Sequence, residues 1–306
     1  MHDIVIVGGG PAGMTAALYA LRNGKSALVL EKGGFGGQIT YSPRVENYPG
    51  TLTMNGTEFA DRMLEQILAQ GADVEVEKVV EIKDEGNLKR VLTENGTSYE
   101  AKAVIIATGV KHRMLGLEGE HELVGNGISF CAVCDGEYYK DQTVAVAGGG
   151  NSALQEATLL ADVCREVIMV QDLDYFTGEE RLATALLARP NVRAFTGTTI
   201  EAIKTEDTAL KGLKLRNKAT HEELELPCDG LFVAIGLIPE NLAFSELVPL
   251  NSAGYIDSKE DCLTGRPGIF AAGDCRSKTL RQLTTAVADG AVSAIAACEY
   301  INKSLK

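Results

Sequence analysis

"DIVIVGGGPAGMTAALYALRNGKSALVLE", residues 3–31, and "TVAVAGGGNSALQEATLLADVCREVIMVQ", residues 143–171, carry the same pattern twice. Each begins as a short run rich in β-branched residues, passes a glycine-rich turn, continues as an Ala/Leu-rich helix and ends in a second strand. The first turn carries Gly8, Gly10 and Gly13, with Pro11 and Ala12 between. The second carries Gly148 and Gly150, then Asn151 and Ser152, with Ala153 in the third place. Both match G-x-G-x-x-G/A after a strand and at the opening of a helix, the context in which that spacing signifies a dinucleotide site. Backbone without side chains can approach a pyrophosphate, and a helix N-terminus supplies free N–H groups and partial positive charge. On this reading Gly13 keeps the first turn open to the phosphates.

The copies differ where chemistry would differ. The first ends at Glu31, 23 residues after Gly8, where an acid can accept from a ribose 2′-OH. The same spacing from Gly148 leads to Gln171, followed by Asp172. Three further stretches read as buried strands that end in glycine at a ligand edge: "AVIIATG" (103–109), "GLFVAIGLIP" (230–239) and "GIFAAGD" (268–274). Asp274 ends the last of them, either as a ligand group or as a cap before a turn. The final helix, read over 281–301, shows small residues on one face. The whole is an α/β chain.

With 306 residues there is room for two domains, each with its own core. The formal net charge of −13 argues against nucleic acid and anionic membranes, which need clustered Lys and Arg. No run approaches the ~18–20 apolar residues of a membrane span. The N-terminal "MHDIVIVGGG" reads as a buried strand, not a signal peptide. Seven cysteines, five of them isolated, are not a secreted disulfide framework, so a cytoplasmic location is expected.

The remaining two, Cys131 and Cys134, stand in "CAVCDG". Zinc needs four ligands, and there is no second C-x-x-C or finger-spaced histidine, so no metal is expected. A permanent staple over so short a loop removes little chain entropy. Two readings remain: buried structural thiols, or a dithiol that opens and closes. For the second, exchange needs one thiolate to attack while a nearby acid or base manages the proton of the other thiol, and Asp135 is adjacent. A dithiol beside two dinucleotide turns suggests an electron relay from nicotinamide through flavin to disulfide.

The motifs "GGGPAG", "GGQITYSPRVENYPG", "ATG", "CAVCDG", "GGGNSALQEA" and "AAGDCRSKTLRQLTTA" together resemble the low-molecular-weight thioredoxin reductases and the related flavoprotein of alkyl-hydroperoxide reductases. The resemblance runs along essentially the whole chain. It implies two Rossmann-like three-layer domains, the second inserted in the first: an FAD domain of 1–113 and 243–306, and a pyridine-nucleotide-type domain of 114–242 carrying the dithiol. It implies FAD contacts from Gly8, Gly10, Pro11, Ala12, Gly13, Glu31, Gly37, Gln38, Asn47, Thr108, Gly109, Gly273, Asp274, Arg281, Gln282 and Leu283. By the same likeness Cys134 faces the flavin, Cys131 is the interchange thiol, Asp135 is the acid/base, the partner is a thioredoxin-like protein disulfide, and the protein is a homodimer. Gly148, Gly150, Asn151, Ser152, Ala153, Gln171 and Asp172 are the expected nicotinamide-nucleotide contacts.

One departure bears on the electron donor. The family's NADPH enzymes carry H-R-R-x-x-x-R after the second strand of the nucleotide domain; here the stretch is "QDLDYFT", residues 171–177. Residues 166–180 include Glu166, Asp172, Asp174, Glu179 and Glu180 and no Lys or Arg, which favours NADH over NADPH. Three alternatives stand beside this reading: reduced ferredoxin as donor, a peroxidase partner as acceptor, and a flavin-binding redox sensor without turnover.

Overall fold

The computed structural model describes residues 1–42 and 45–304, so Pro43 and Arg44 of the "GGQITYSPRVENYPG" motif lie outside the described residues. The chain forms two compact units: Met1–Thr40, Tyr48–Lys111 and Ile238–Lys306 in one, Tyr41–Asn47 and His112–Leu237 in the other.

In the first unit five parallel strands lie in the order Asp73–Val76, Ala27–Glu31, His2–Val7, Ser98–Ile106, Ile269–Ala271. The N-terminal half of Ser98–Ile106 also pairs antiparallel with Leu88–Thr93, which pairs in turn with Val79–Glu85. Strand alternation divides the core between two faces. Ile4 and Ile6 pack with Met14, Ala17 and the last helix's Ala294 and Ala297; Val5 and Val7 pack with Leu28, Val104 and Phe244. Pro11 starts the helix Pro11–Arg22, where its missing N–H and fixed φ cost nothing.

The second unit repeats this plan. Its parallel order is Val192–Phe195, Glu166–Val170, Thr143–Ala147, Gly230–Val233, Ile128–Ser129. Val144 and Val146 face the helix Asn151–Val163, and Ala145 and Ala147 face the opposite cluster with Leu213 and Leu215. Those leucines belong to an antiparallel meander, Thr198–Glu206, Ala209–Asn217 and Glu223–Pro227. The repeat therefore extends well beyond the two stretches that announce it. In each sheet the chain runs one way from the strand before the glycine turn and then returns to that strand's other side, and the crevice at such a reversal is where open α/β sheets bind ligands.

Gly13 has a packing role of its own. A Cβ on it would lie 1.9 Å from the Gly8 carbonyl oxygen, so its missing side chain lets the helix pack on the turn. Around Gly10 the nearest atom to such a Cβ is the Gly36 oxygen at 3.8 Å. The two glycines should separate by experiment. Gly13→Ala should destabilise the nucleotide-free protein by about 1–3 kcal/mol through overpacking, while Gly10→Ala should stay within about 0.5 kcal/mol of wild type. Denaturant unfolding of both variants checks this; equal losses would refute it.

Candidate active site

The two glycine turns are held by matching contacts. Gly8 N–H donates to Leu30 O at 2.8 Å and Gly148 N–H to Val170 O at 2.9 Å. Gly36 N–H reaches Gly9 O at 2.8 Å, and Gly178 N–H reaches Gly149 O at 2.9 Å. The loop after the second strand thus folds back onto the turn in both units, although it is two residues longer from Gln171 to Gly178 than from Glu31 to Gly36. No side chain caps either following helix, so the first-turn N–H groups stay available to an anion.

In the first unit several expected contact residues converge. A Cβ on Gly37 would lie 3.5 Å from Gly10 Cα, and one on Gly273 would lie 2.8 Å from Ala12 Cβ. Glu31 accepts from Gly9 N–H at 2.7 Å and Gly33 N–H at 3.0 Å. Thr108 Oγ1 donates to Asn241 Oδ1 at 3.0 Å, and Gly109 follows in the left-handed region at φ 66°. Gln38 donates its amide to Val110 O. Arg281 reaches Asp274 O at 3.4 Å with its guanidinium 4.2 Å over the Tyr255 ring. Gln282 N–H donates to Thr285 Oγ1 at 3.1 Å as the last helix begins at Leu283. Asn47 belongs to the segment Tyr41–Asn47, which groups with the second unit.

Asp274 Oδ1 is buried without a hydrogen-bond partner. Burial pushes this carboxyl above its usual range against the pull of Lys278 and Arg281. An orphaned acceptor just past the edge strand Ile269–Ala271 fits a ligand hydroxyl. Beneath it lies a network that the motifs do not announce. Asp289, on the last helix, takes Arg276 through a two-pronged contact at 2.8 Å on each oxygen, and also accepts from Lys278 Nζ and Gly273 N–H at 3.0 Å each. Burial opposes its charge, but Arg276 and Lys278 outweigh burial and hold the carboxyl below the usual range. An acid amid the small apolar residues of the helix's first half was the available signal. With the glycine cradle, the uncapped helix and the open Asp274 oxygen, these residues fit a flavin dinucleotide.

In the second unit the dithiol follows the strand Ile128–Ser129, which holds the same place beside Gly230–Val233 as Ile269–Ala271 holds beside Ser98–Ile106. Cys131 and Cys134 are joined as a disulfide across a single helical turn, with Cα atoms 5.3 Å apart. Ser129 Oγ accepts from Cys131 N–H at 3.1 Å and donates to Asp135 Oδ2 at 2.6 Å. The other Asp135 oxygen is buried without a partner, and burial raises this carboxyl against the Ser129 hydrogen bond. An acid poised to hold a proton beside a disulfide suits exchange chemistry. The other five cysteines are buried and free, their thiols raised by burial to about 11 for Cys164 and about 12 for Cys228 and Cys262.

At the second turn, Gln171 is buried with its carboxamide against Gly149 and donates to Tyr175 O at 3.2 Å, whereas Asp172 and Ser152 are exposed. Asn151 Oδ1 accepts from Glu179 N–H at 2.7 Å, which pins the loop. The chain fold also delivers a cation that the local sequence lacks: Lys218 Nζ donates to Asp172 O at 2.9 Å from 46 residues away. Among the described residues no group of three His, Cys, Asp or Glu side chains gathers as a metal site, and no helix is long and apolar enough to cross a membrane.

The Asp289 network yields a test. Asp289→Asn removes the nearest buried counter-charge of Arg276 and Lys278, leaving Glu260 at 3.5 Å and Asp274 at 3.8 Å, which should cost about 3 kcal/mol of stability at neutral pH. Because the Asp289 carboxyl lies below its ordinary range, that contribution is fully present above the range and is lost as the pH falls from there through the lowered value beneath it. Unfolding midpoints of both proteins down to acid pH check this; a gap that does not narrow would contradict it.

Comparison with known proteins agrees with this geometry. The thioredoxin reductase of Listeria monocytogenes is 39% identical over 303 residues, covering 99% of this chain and 95% of the relative. A protein of Mycobacterium leprae named as a bifunctional thioredoxin reductase/thioredoxin is 40% identical over 98% of this chain and 66% of its own length. The crystal structure of thioredoxin reductase from Streptococcus pyogenes superposes with a TM-score of 0.93 at 38% identity, covering 99% of both chains. The pyridine nucleotide-disulphide oxidoreductase profile matches residues 2–290. With two dinucleotide folds and a closed C-x-x-C pair, this chain belongs to the pyridine nucleotide-disulphide oxidoreductase family.

Proposed function

We propose that the protein is an FAD-dependent reductase of a thioredoxin-like protein disulfide, with NADH preferred to NADPH as its electron donor. The observation that carries this reading is the closed Cys131–Cys134 disulfide beside the unpartnered Asp135 oxygen, in the unit that also keeps the second glycine turn. In this reading residues 1–113 and 243–306 hold FAD, and 114–242 hold the nicotinamide nucleotide and the dithiol. The protein works as a homodimer in the cytoplasm. The relative from Mycobacterium leprae, whose name joins a thioredoxin to the reductase, supports the choice of partner.

A bound flavin supplies a carrier that accepts a hydride's two electrons and passes them to a disulfide. The chain's own residues do the rest. Gly8, Gly10 and the first turn of Pro11–Arg22 take the pyrophosphate, Glu31 and Asp274 take hydroxyl groups, and Asp135 holds the proton that a leaving thiolate needs. Cys131, at the start of its turn, is the thiol offered to the partner.

The donor preference rests on the loop from Gln171 to Glu180. A 2′-phosphate carries close to two negative charges and is normally met by Arg. A carboxylate ~4–5 Å from it costs a few kcal/mol before screening, and a small remaining part of that gives about a tenfold preference. Lys218 tempers the charge without removing it, since its ammonium reaches the Asp172 carbonyl. Ferredoxin as donor draws support from the buried Gln171, which offers a weaker acceptor than Glu31 does. The retained contacts of Gly148, Gly149 and Gly178 favour the nicotinamide.

Anaerobic bleaching of the flavin with NADH, NADPH and reduced ferredoxin in turn tests the donor, and NADH should be faster than NADPH by about tenfold. Faster reduction by NADPH defeats the charge argument, and bleaching by ferredoxin alone defeats the nicotinamide. Cys131→Ser and Cys134→Ser should each bind flavin and accept electrons yet lose disulfide reduction. Turnover retained in either variant would make the pair structural.

A further inference from the structure

Glu156 lies on the helix Asn151–Val163, at the spacing of Ala153 and Leu160 on its inner face. Its Oε2 accepts from the N–H of Ala132 at 2.6 Å, directly after Cys131. Two consecutive N–H groups at the dithiol are therefore held by side chains, Cys131 by Ser129 and Ala132 by Glu156. We propose that Glu156 is a positioning residue of the dithiol, which fixes the turn between Cys131 and Cys134 through Ala132 and, when ionised, supplies the negative charge against which a Cys131 thiolate must form. The inference rests on the reading of Cys131 and Cys134 as the exchange pair.

The surroundings decide when that charge is present. Asp135, on the turn that packs against this helix, is the charged side chain that acts on Glu156 among the described residues. Tyr139, from the following turn, has its ring on Phe232 and its phenol pushed to about 12, so it stays neutral. The sheet and the helix Glu180–Leu187 pack their Val146, Met169, Ala183 and Leu186 into the same cluster as this helix. Burial, aided by Asp135 and opposed by the Ala132 N–H, raises Glu156 from an ordinary 4.5 to about 7. Below that pH the carboxyl is neutral; above it the anion disfavours a thiolate nearby. With Asp135 also raised, the two acids titrate as a coupled pair.

A plain hydrogen-bonding prop would be served as well by glutamine, which keeps the acceptor and removes the charge. In the dithiol-reduced protein, iodoacetamide labelling of Cys131, followed by mass spectrometry of its peptide, reads thiolate formation without flavin, donor or partner. The rate of Glu156→Gln relative to wild type should rise from near one at about pH 5.5 to about threefold at about pH 8. A ratio that stays constant across that range would overturn the proposal. A second measurement needs no variant: wild type labelled with 13C-glutamate should keep a label-sensitive protonated-carboxyl infrared band at about pH 6 that fades by about pH 8. Absence of the band at the lower pH would also overturn it. Thioredoxin turnover, measured separately, tests the exchange reading itself, so failure of one is distinguishable from failure of the other.

Discussion

At the end of the strand before each glycine turn a backbone carbonyl fills the space that a side chain would need. Ala107 O lies 2.3 Å from where a Cβ on Gly8 would stand, and Ala234 O lies 2.5 Å from the same point on Gly148. Both glycines are in a backbone region that side chains rarely adopt, at φ 115° and 126°. This close pass lets the turn leave one strand and cross the end of its neighbour, so that the helix opens over the crevice. Its N–H groups, the acid at the end of the next strand and the loop that folds back from it all take their places from that crossing. Each glycine turn thus depends on a carbonyl that tolerates no methyl group.

The two units put the same scaffold to different chemical uses. Beside the central crossing, each sheet carries one more short parallel strand, and the residues just past it bear the reactive groups. In the first unit these are Gly273 and Asp274, braced from below by Asp289; in the second they are the dithiol and Asp135, braced by Ser129 and Glu156. Each place keeps a buried carboxyl oxygen without a hydrogen-bond partner, at Asp274 and at Asp135. Such groups cost free energy unless the site uses them. The stability of the scaffold is what permits that local cost.

Much of this was legible in the sequence. Strand, glycine turn, helix and strand are local patterns, and both copies fold as their periodicity predicts, at His2–Glu31 and Thr143–Val170. The C-x-x-C pair and its aspartate were equally plain. What escaped were relations fixed by packing at long range. The seat of Gly290 on the Ala12 carbonyl joins helices far apart in the sequence. The antiparallel meander of the second unit was hidden because exposed edge strands mix polar and apolar residues loosely. Lys218 could not be paired with Asp172 before the meander was known. Glu156 was the readable omission: its spacing from Ala153 and Leu160 puts a carboxylate on an apolar face.

The close seating of the last helix on the first governs the order in which the chain can be completed. A Cβ on Gly290 would lie 2.2 Å from Ala12 O, and the strand Ile269–Ala271 completes the parallel sheet from the same distant part of the sequence. During synthesis, the second unit's main segment, His112–Leu237, emerges without interruption and can close its sheet at once. The first unit cannot. Its opening strand and helix, complete at Arg22, must wait until residues 238–304 are made, roughly 15–55 s at ~5–20 residues per second. Through that interval the edge of Ser98–Ile106 and the apolar side of Pro11–Arg22 stand open to other chains. The earliest-made nucleotide turn is thus the last to be finished, and the nascent protein is most exposed to aggregation at the site it needs most.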